Sequence, residues 1–114
     1  MPTIYHNPRC SKSRQTLSLL QDQGLEPEIV LYLETPPSAQ TIATLLQQLG
    51  LTARQLLRRS EQEYKDQNLA DTSLSEQQLI EAMANSPKLI ERPIVVNGNR
   101  AAIGRPPECV LEVL

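Results

Sequence analysis

Residues 3–33 constrain the fold more than any other stretch. A short apolar run, "TIY", passes through a polar seam, "HNPRCSKSR", into a helical pattern. That pattern stops at Gly24, and a second apolar run, "EIVLYL", follows at residues 28–33. Strand, helix, strand in this order reads as a βαβ unit. The first strand is expected at residues 2–6. The helix is expected at about 11–23, with Leu17 and Leu20 facing the core. Gly24 offers a left-handed stop, with Leu25 after it. The near-continuous apolar run at 28–33 suits a strand covered on both faces.

The pattern then changes. "TPPS" breaks the strand, and Ser38 can cap a helix. Ile42, Leu45, Leu46 and Leu49 follow the i, i+3, i+4, i+7 rule, and Gly50 ends that helix. "TARQLLR" predicts a short helix over about 52–58 that delivers Arg58 and Arg59 at its end. Residues 60–74 are polar and read as loop. Ser75 with Gln78 forms a capping-box pattern, opening a helix that carries Leu79, Ile80 and Met83 and stops at Asn85, Ser86 and Pro87. "RPIVVNGNRAAIG", residues 92–104, reads as a hairpin: "PIVV", a turn at "NGN", then "RAAI". "RPPECVLEVL" opens a final helix, with prolines where the first turn needs no N–H donors. Without the central helices, a βαβ unit followed by ββα remains. The fold class is therefore α/β, a thioredoxin-like fold with a central helical insertion, in one domain over 1–114. No internal repeat, low-complexity tract or linker interrupts it.

Composition narrows the partners. Aromatic residues are 3% of the chain, with no Trp or Phe, so the core is built from Leu, Ile, Val and Ala. The same scarcity leaves few platforms on which bases could stack. A net charge of −2 argues against a general polyanion-binding surface. The cations are nonetheless biased: eight are Arg and three are Lys, and Arg suits bidentate recognition of oxyanions. No apolar stretch approaches the roughly 20 residues of a membrane span. The N-terminus lacks a basic region followed by an apolar run, so no secretory signal is expected. Two cysteines, Cys10 and Cys109, lie nearly a chain length apart, which is neither a disulfide framework nor a metal-ligand spacing. A reducing, cytoplasmic compartment is expected.

Cys10 is the residue with chemistry. It sits where the first strand gives way to the first helix, among His6, Asn7, Arg9, Ser11, Lys12, Ser13 and Arg14. The first turn of a helix presents unpaired N–H groups and a partial positive charge, and both favour a thiolate. Such sites lower a cysteine pKa from about 8.5 to about 3.5–7.5. The same N–H groups can receive an incoming oxyanion. The frame reads Cys10-Ser11-Lys12-Ser13, so no thiol three residues on can resolve a mixed disulfide. A second thiol comes from Cys109 or from outside. Cys109 lies with Val110 and Val113 in an apolar helical stripe and reads as packing. His6 can steady the thiolate as a cation or donor, or be a polar strand-end residue satisfied by backbone. Ser13 and Arg14 are expected beside the anion site. The thioredoxin-like outline places Arg92 near Cys10. Arg54 and Arg59 read as solvated.

Four segments in order, "IYHNPRCSKSRQTL", "EPEIVLYLETPPS", "LLRRSEQEY" and "RPIVVNGNRAAIGRPPE", span nearly the whole chain. In them the chain resembles the glutaredoxin-linked arsenate reductases of the ArsC/Spx-like family. The resemblance implies that Cys10 is the nucleophile and that His6 helps stabilise its thiolate. It implies that Arg58, Arg92 and Arg105 hold arsenate and the arsenic–cysteine intermediate, and that the Arg92–Pro93 bond is cis. It further implies arsenate as substrate, glutathione as co-substrate and glutaredoxin as protein partner. No bound cofactor and no metal are expected, nor a nucleic-acid or membrane partner, and the protein is expected to be a monomer. Regulators of the same family share the fold and the "RPI" segment. They typically carry a Cys-x-x-Cys switch, where this chain has Ser13. A thiol redox protein or regulator acting through a protein partner is the alternative.

Overall fold

The computed structural model describes residues 2–114. Its apolar N-terminal run is the inner strand around which a sheet assembles. β1 (Thr3–Tyr5) lies between β2 (Glu28–Val30), to which it is parallel, and β3 (Ile94–Asn97), to which it is antiparallel. β3 then pairs antiparallel with β4 (Arg100–Ile103), giving the order β2-β1-β3-β4. The hairpin turn at Gly98 has φ +64°, the left-handed geometry that an Asn-Gly turn supplies.

Between β1 and β2 runs α1 (Ser11–Asp22). It ends as predicted: Gly24 has φ +78°, and the Leu25 N–H returns to the Leu20 carbonyl at 3.1 Å. Leu20 is fully buried with Ile4, Val95 and Val110, Val113 is buried beside them, and Leu17 packs against this cluster. Two polar residues of α1, Ser13 and Thr16, are also fully buried. The Thr16 hydroxyl is satisfied by donating to the Lys12 carbonyl at 2.8 Å.

The chain divides into two compact units, one holding residues up to 35 together with 92–114, the other 36–91. The first is the βαβ plus ββα arrangement of a thioredoxin-like fold. The second is helical. Its α2 (Ala39–Leu49) is capped by Ser38, whose hydroxyl accepts from the Thr41 N–H, and ends at Gly50 with φ +71°. α2 packs on α5 (Glu76–Asn85) through Ile42, Leu45, Leu46, Leu79, Ile80 and Met83. The Ser75–Gln78 capping box opens α5 as expected, and a second box, Thr52–Gln55, opens α3 (Ala53–Leu56). Glu76 accepts from the Ala53 N–H at 2.7 Å and so ties α5 to α3. No helix among the described residues is long and apolar enough to cross a membrane.

Five sequence expectations need correction. β2 stops at Val30 and lies at the sheet edge, so Ile29, Leu31 and Leu33 are exposed while Tyr32 is buried. α3 stops at Leu56, because Leu57 turns extended to bridge Ile90, and Arg58 therefore follows the helix rather than ending it. The polar stretch holds a further helix, α4 (Gln62–Asp66). Arg54 is not merely solvated: it donates to the Leu69 and Asp71 carbonyls at 2.9 and 3.0 Å and holds the chain after α4. The last element, Pro107–Val113, is a 3₁₀ helix. Its buried residues, Pro107, Val110 and Val113, are spaced by three, the period that aligns them on one face of a 3₁₀ turn. Cys109 falls off that face and is half-buried.

Gly104 is required by space rather than by φ. A Cβ there would collide with the Thr16 hydroxyl oxygen and approach Pro93 Cγ to 2.9 Å. Gly104→Ala should therefore destabilise by about 1–3 kcal/mol through overpacking. A lowered denaturant midpoint with an unchanged slope checks this. An unchanged midpoint would show that α1 yields freely at Thr16.

Candidate active site

The loop that presents Cys10 is fixed by short bonds. The His6 N–H donates to the Val30 carbonyl at 2.9 Å, extending the β1–β2 pairing by one residue. The Asn7 side chain accepts from the Arg9 N–H at 3.0 Å, and its carbonyl accepts from the Cys10 N–H at 3.0 Å. Cys10 itself is the N-cap of α1: its backbone is extended, and its carbonyl accepts the first helical bond, from Arg14 N–H. Its side chain caps nothing in the usual sense. Instead the open first-turn N–H groups of Ser13 and Lys12 favour the charged form of the sulfur.

Two guanidinium groups reach the same atom. Arg92, at the entrance to β3, hydrogen-bonds the Cys10 sulfur. Arg105, after β4, lies with Nη2 3.6 Å from it. The two arginines are joined, since Arg105 Nε donates to the Arg92 carbonyl at 2.8 Å. Both precede cis prolines: Arg92–Pro93, as the resemblance implied, and Arg105–Pro106, which nothing in the local sequence announced.

Burial pushes the Cys10 thiol up. The Ser13 N–H, the Arg92 hydrogen bond and charge, and the Lys12 N–H more than offset that and hold it below the ordinary thiol value. Because the folded value is depressed, the thiolate's contribution to stability is complete above the unfolded thiol pKa of about 8.5. It is lost as pH falls through the folded value. Reactivity has the same sign. In a Cys109→Ser protein, alkylation of Cys10 by iodoacetamide should reach its plateau below pH ~8.5 and fall at lower pH. A midpoint at or above the ordinary thiol value would contradict this geometry.

His6 is placed differently from expectation. It is buried, and its Nδ1 lies 2.6 Å from the Ser13 hydroxyl rather than on the cysteine. Burial, and then the charge of Arg14, lower its pKa, so the imidazole is neutral near pH 7. Ser13 also accepts from the Asn7 N–H at 3.0 Å. Its side chain thus holds the loop to the helix, while its backbone N–H faces the sulfur. Arg14 does not point to the sulfur either. Its Nη1 donates to the Pro8 carbonyl at 3.0 Å on the exposed side. Arg58 belongs to the helical unit. Its backbone N–H donates to the Leu89 carbonyl at 2.8 Å, and its Nε lies 3.7 Å from a Glu91 carboxylate oxygen. Its Nη1 is buried and makes no hydrogen bond. Of the predicted residues, then, Cys10, Arg92 and Arg105 meet directly, and His6 and Ser13 brace the loop. Cys10 and Cys109 are both free thiols. No group of three metal-ligating side chains occurs among the described residues.

Sequence reading missed Asn7 as the turn-former and Gly104 as the spacer beside Arg105. Asn7 had a signal, the Asx-turn preference before a helix. Gly104 had none, since its neighbour Thr16 is set only by the tertiary fold.

The sequence model of the ArsC family matches residues 5–113. The uncharacterized protein YfgD of Escherichia coli is 62% identical over 97% of this chain and 94% of its own length. An arsenate reductase of Haemophilus influenzae is 48% identical, covering 97% of both chains. The solved structure of an arsenate reductase from Vibrio cholerae superposes with a TM-score of 0.97 at 55% identity, covering 99% of this chain and 97% of that one.

Proposed function

The chain belongs to the ArsC family, and from that premise we propose that it reduces arsenate to arsenite with Cys10 as its single nucleophile and glutathione and glutaredoxin as electron donors. The observation that carries this reading is the Cys10 sulfur itself. It sits at the open first turn of α1 with two guanidinium groups on it, a setting equally suited to a thiolate and to the oxyanion it attacks.

The Cys10 thiolate attacks arsenic, and one arsenate oxygen leaves as water. A glutathione thiol then joins, arsenic falls from the +5 to the +3 state, and the two thiols end as one mixed disulfide, Cys10–S–S–glutathione. Arsenite leaves. A glutaredoxin thiolate attacks the glutathione sulfur and frees Cys10. Ser13 cannot supply the second thiol, and with Cys109 read as a packing residue of the C-terminal 3₁₀ helix the resolving thiol is external in this reading. Arg92 and Arg105 neutralise the oxyanion. We assign Arg58 the same role on the family pattern alone. The setting of this chemistry is a reducing cytoplasm.

Purified protein should consume NADPH in the presence of arsenate, glutathione, glutaredoxin and glutathione reductase. Turnover sustained by thioredoxin alone would sink the glutathione route. No turnover with any thiol donor, beside a tight protein partner, would favour a regulator instead. Arg105→Lys keeps the charge but loses the planar fork that spans the sulfur and the Arg92 carbonyl. It should lower kcat/KM by about tenfold, the scale of one charge-assisted hydrogen bond. An unchanged kcat/KM would remove Arg105 from the site.

A further inference from the structure

A pocket of about 260 Å³ is bounded by residues 6–9, which lead into Cys10, and, after β2, by Leu31, Leu33 and Glu34. Its lining combines two exposed leucines with one cation, Arg9, and one anion, Glu34. Among the described residues neither charged side chain makes an ion pair or hydrogen bond, although both line the same small space. The cation and the anion are therefore both available to a ligand carrying one group of each sign.

Arg9 is also the residue next to Cys10, so the pocket begins one residue from the nucleophile, a span within the length of a tripeptide at about 3.3–3.6 Å per extended residue. The γ-glutamyl arm of glutathione has the matching chemistry: an α-carboxylate and an α-ammonium on one carbon, carried on two methylenes. We propose that this pocket seats the γ-glutamyl arm of the glutathione joined to Cys10. Arg9 takes the carboxylate, Glu34 takes the ammonium, and Leu31 and Leu33 cover the methylenes. The proposal rests on glutathione being the second thiol, as read above. It also accounts for the apolar edge left exposed after β2, which the sheet does not cover.

The test needs no arsenate. In the full chain carrying Cys109→Ser, the Cys10 thiolate attacks glutathione disulfide. The Cys10–glutathione S–S bond forms, the original S–S bond breaks, and glutathione leaves as the thiolate with the electron pair. The disulfide is the oxidant. Rates are compared with the disulfide of cysteinylglycine, which lacks the arm, and with hydroxyethyl disulfide. Each is divided by the rate of a free small thiolate, to remove leaving-group differences. Glutathione disulfide should be preferred. Arg9→Gln and Glu34→Gln should each lose about two- to fivefold of that preference, the scale of an exposed ion pair. Their rates with hydroxyethyl disulfide should stay unchanged, as should every rate of the remote control Glu26→Gln. Equal rates for all three disulfides, unaltered preference in both variants, or an equal fall with hydroxyethyl disulfide would overturn the pocket's role. Selectivity without arsenate reduction would instead leave the pocket standing and overturn the arsenate reading.

Discussion

Replacing Cys10 by serine should abolish arsenate reduction, while Cys109→Ser should keep most of it. The difference is one of environment. Cys10 lies at the start of α1 under the Ser13 and Lys12 N–H groups and two arginines. A serine hydroxyl there stays protonated at neutral pH and cannot carry an electron pair to arsenic. Cys109 sits half-buried off the packed face that Pro107, Val110 and Val113 form on the C-terminal 3₁₀ helix. If Cys109→Ser proves as inactive as Cys10→Ser, an internal disulfide relay replaces the external thiol.

The second large effect belongs to Arg92. Its guanidinium bonds the Cys10 sulfur, and its carbonyl orients Arg105. Arg92→Leu keeps that carbonyl and removes only the guanidinium. It should cost about 10²–10³ in kcat/KM, the scale of one oxyanion donor, and should raise the pH midpoint of Cys10 alkylation. Two readouts separate this from mere misfolding, because a folded variant with a normal alkylation midpoint would deny Arg92 its role at the sulfur. Arg92→Lys should recover part of the midpoint and less of the rate, since charge alone serves the thiolate but not a forked oxyanion.

Much of this was written locally in the chain. The Cys10 seam, the Gly24 stop, the Ser38 cap, the Ser75–Gln78 box and the hairpin at "NGN" are each decided by residues within one or two turns of each other. What escaped was decided at longer range. "EIVLYL" reads as a central strand because both of its faces are apolar. Only the sheet order shows that β2 is an edge, with Ile29, Leu31 and Leu33 outward and Tyr32 inward. The end of α3 is set by Ile90, more than 30 residues on, which pairs with Leu57 and draws the chain out of the helix. His6 reads either as a partner for the cysteine four residues away or as a strand-end residue satisfied by backbone, and it is the buried Ser13 hydroxyl that takes its Nδ1. Arg105 lies 95 residues from Cys10 and meets it only because β3 and β4 return beside α1. The spacing of three among Pro107, Val110 and Val113 was visible in the sequence, and it distinguishes a 3₁₀ face from an α-helical stripe.

The central claim is that one cysteine reduces arsenate with a thiol from outside the chain. Its most direct test is the mass of the protein after arsenate and glutathione are supplied without glutaredoxin. Two electrons are needed, Cys10 contributes one thiol, and the Ser13 hydroxyl cannot contribute the other. The reaction should therefore stall after a single turnover, with one glutathione added to the protein and mapped to the peptide holding Cys10. Glutaredoxin should remove that mass and restart turnover. An intramolecular Cys10–Cys109 disulfide in its place, or arsenite released with Cys10 still reduced and unmodified, would contradict the account.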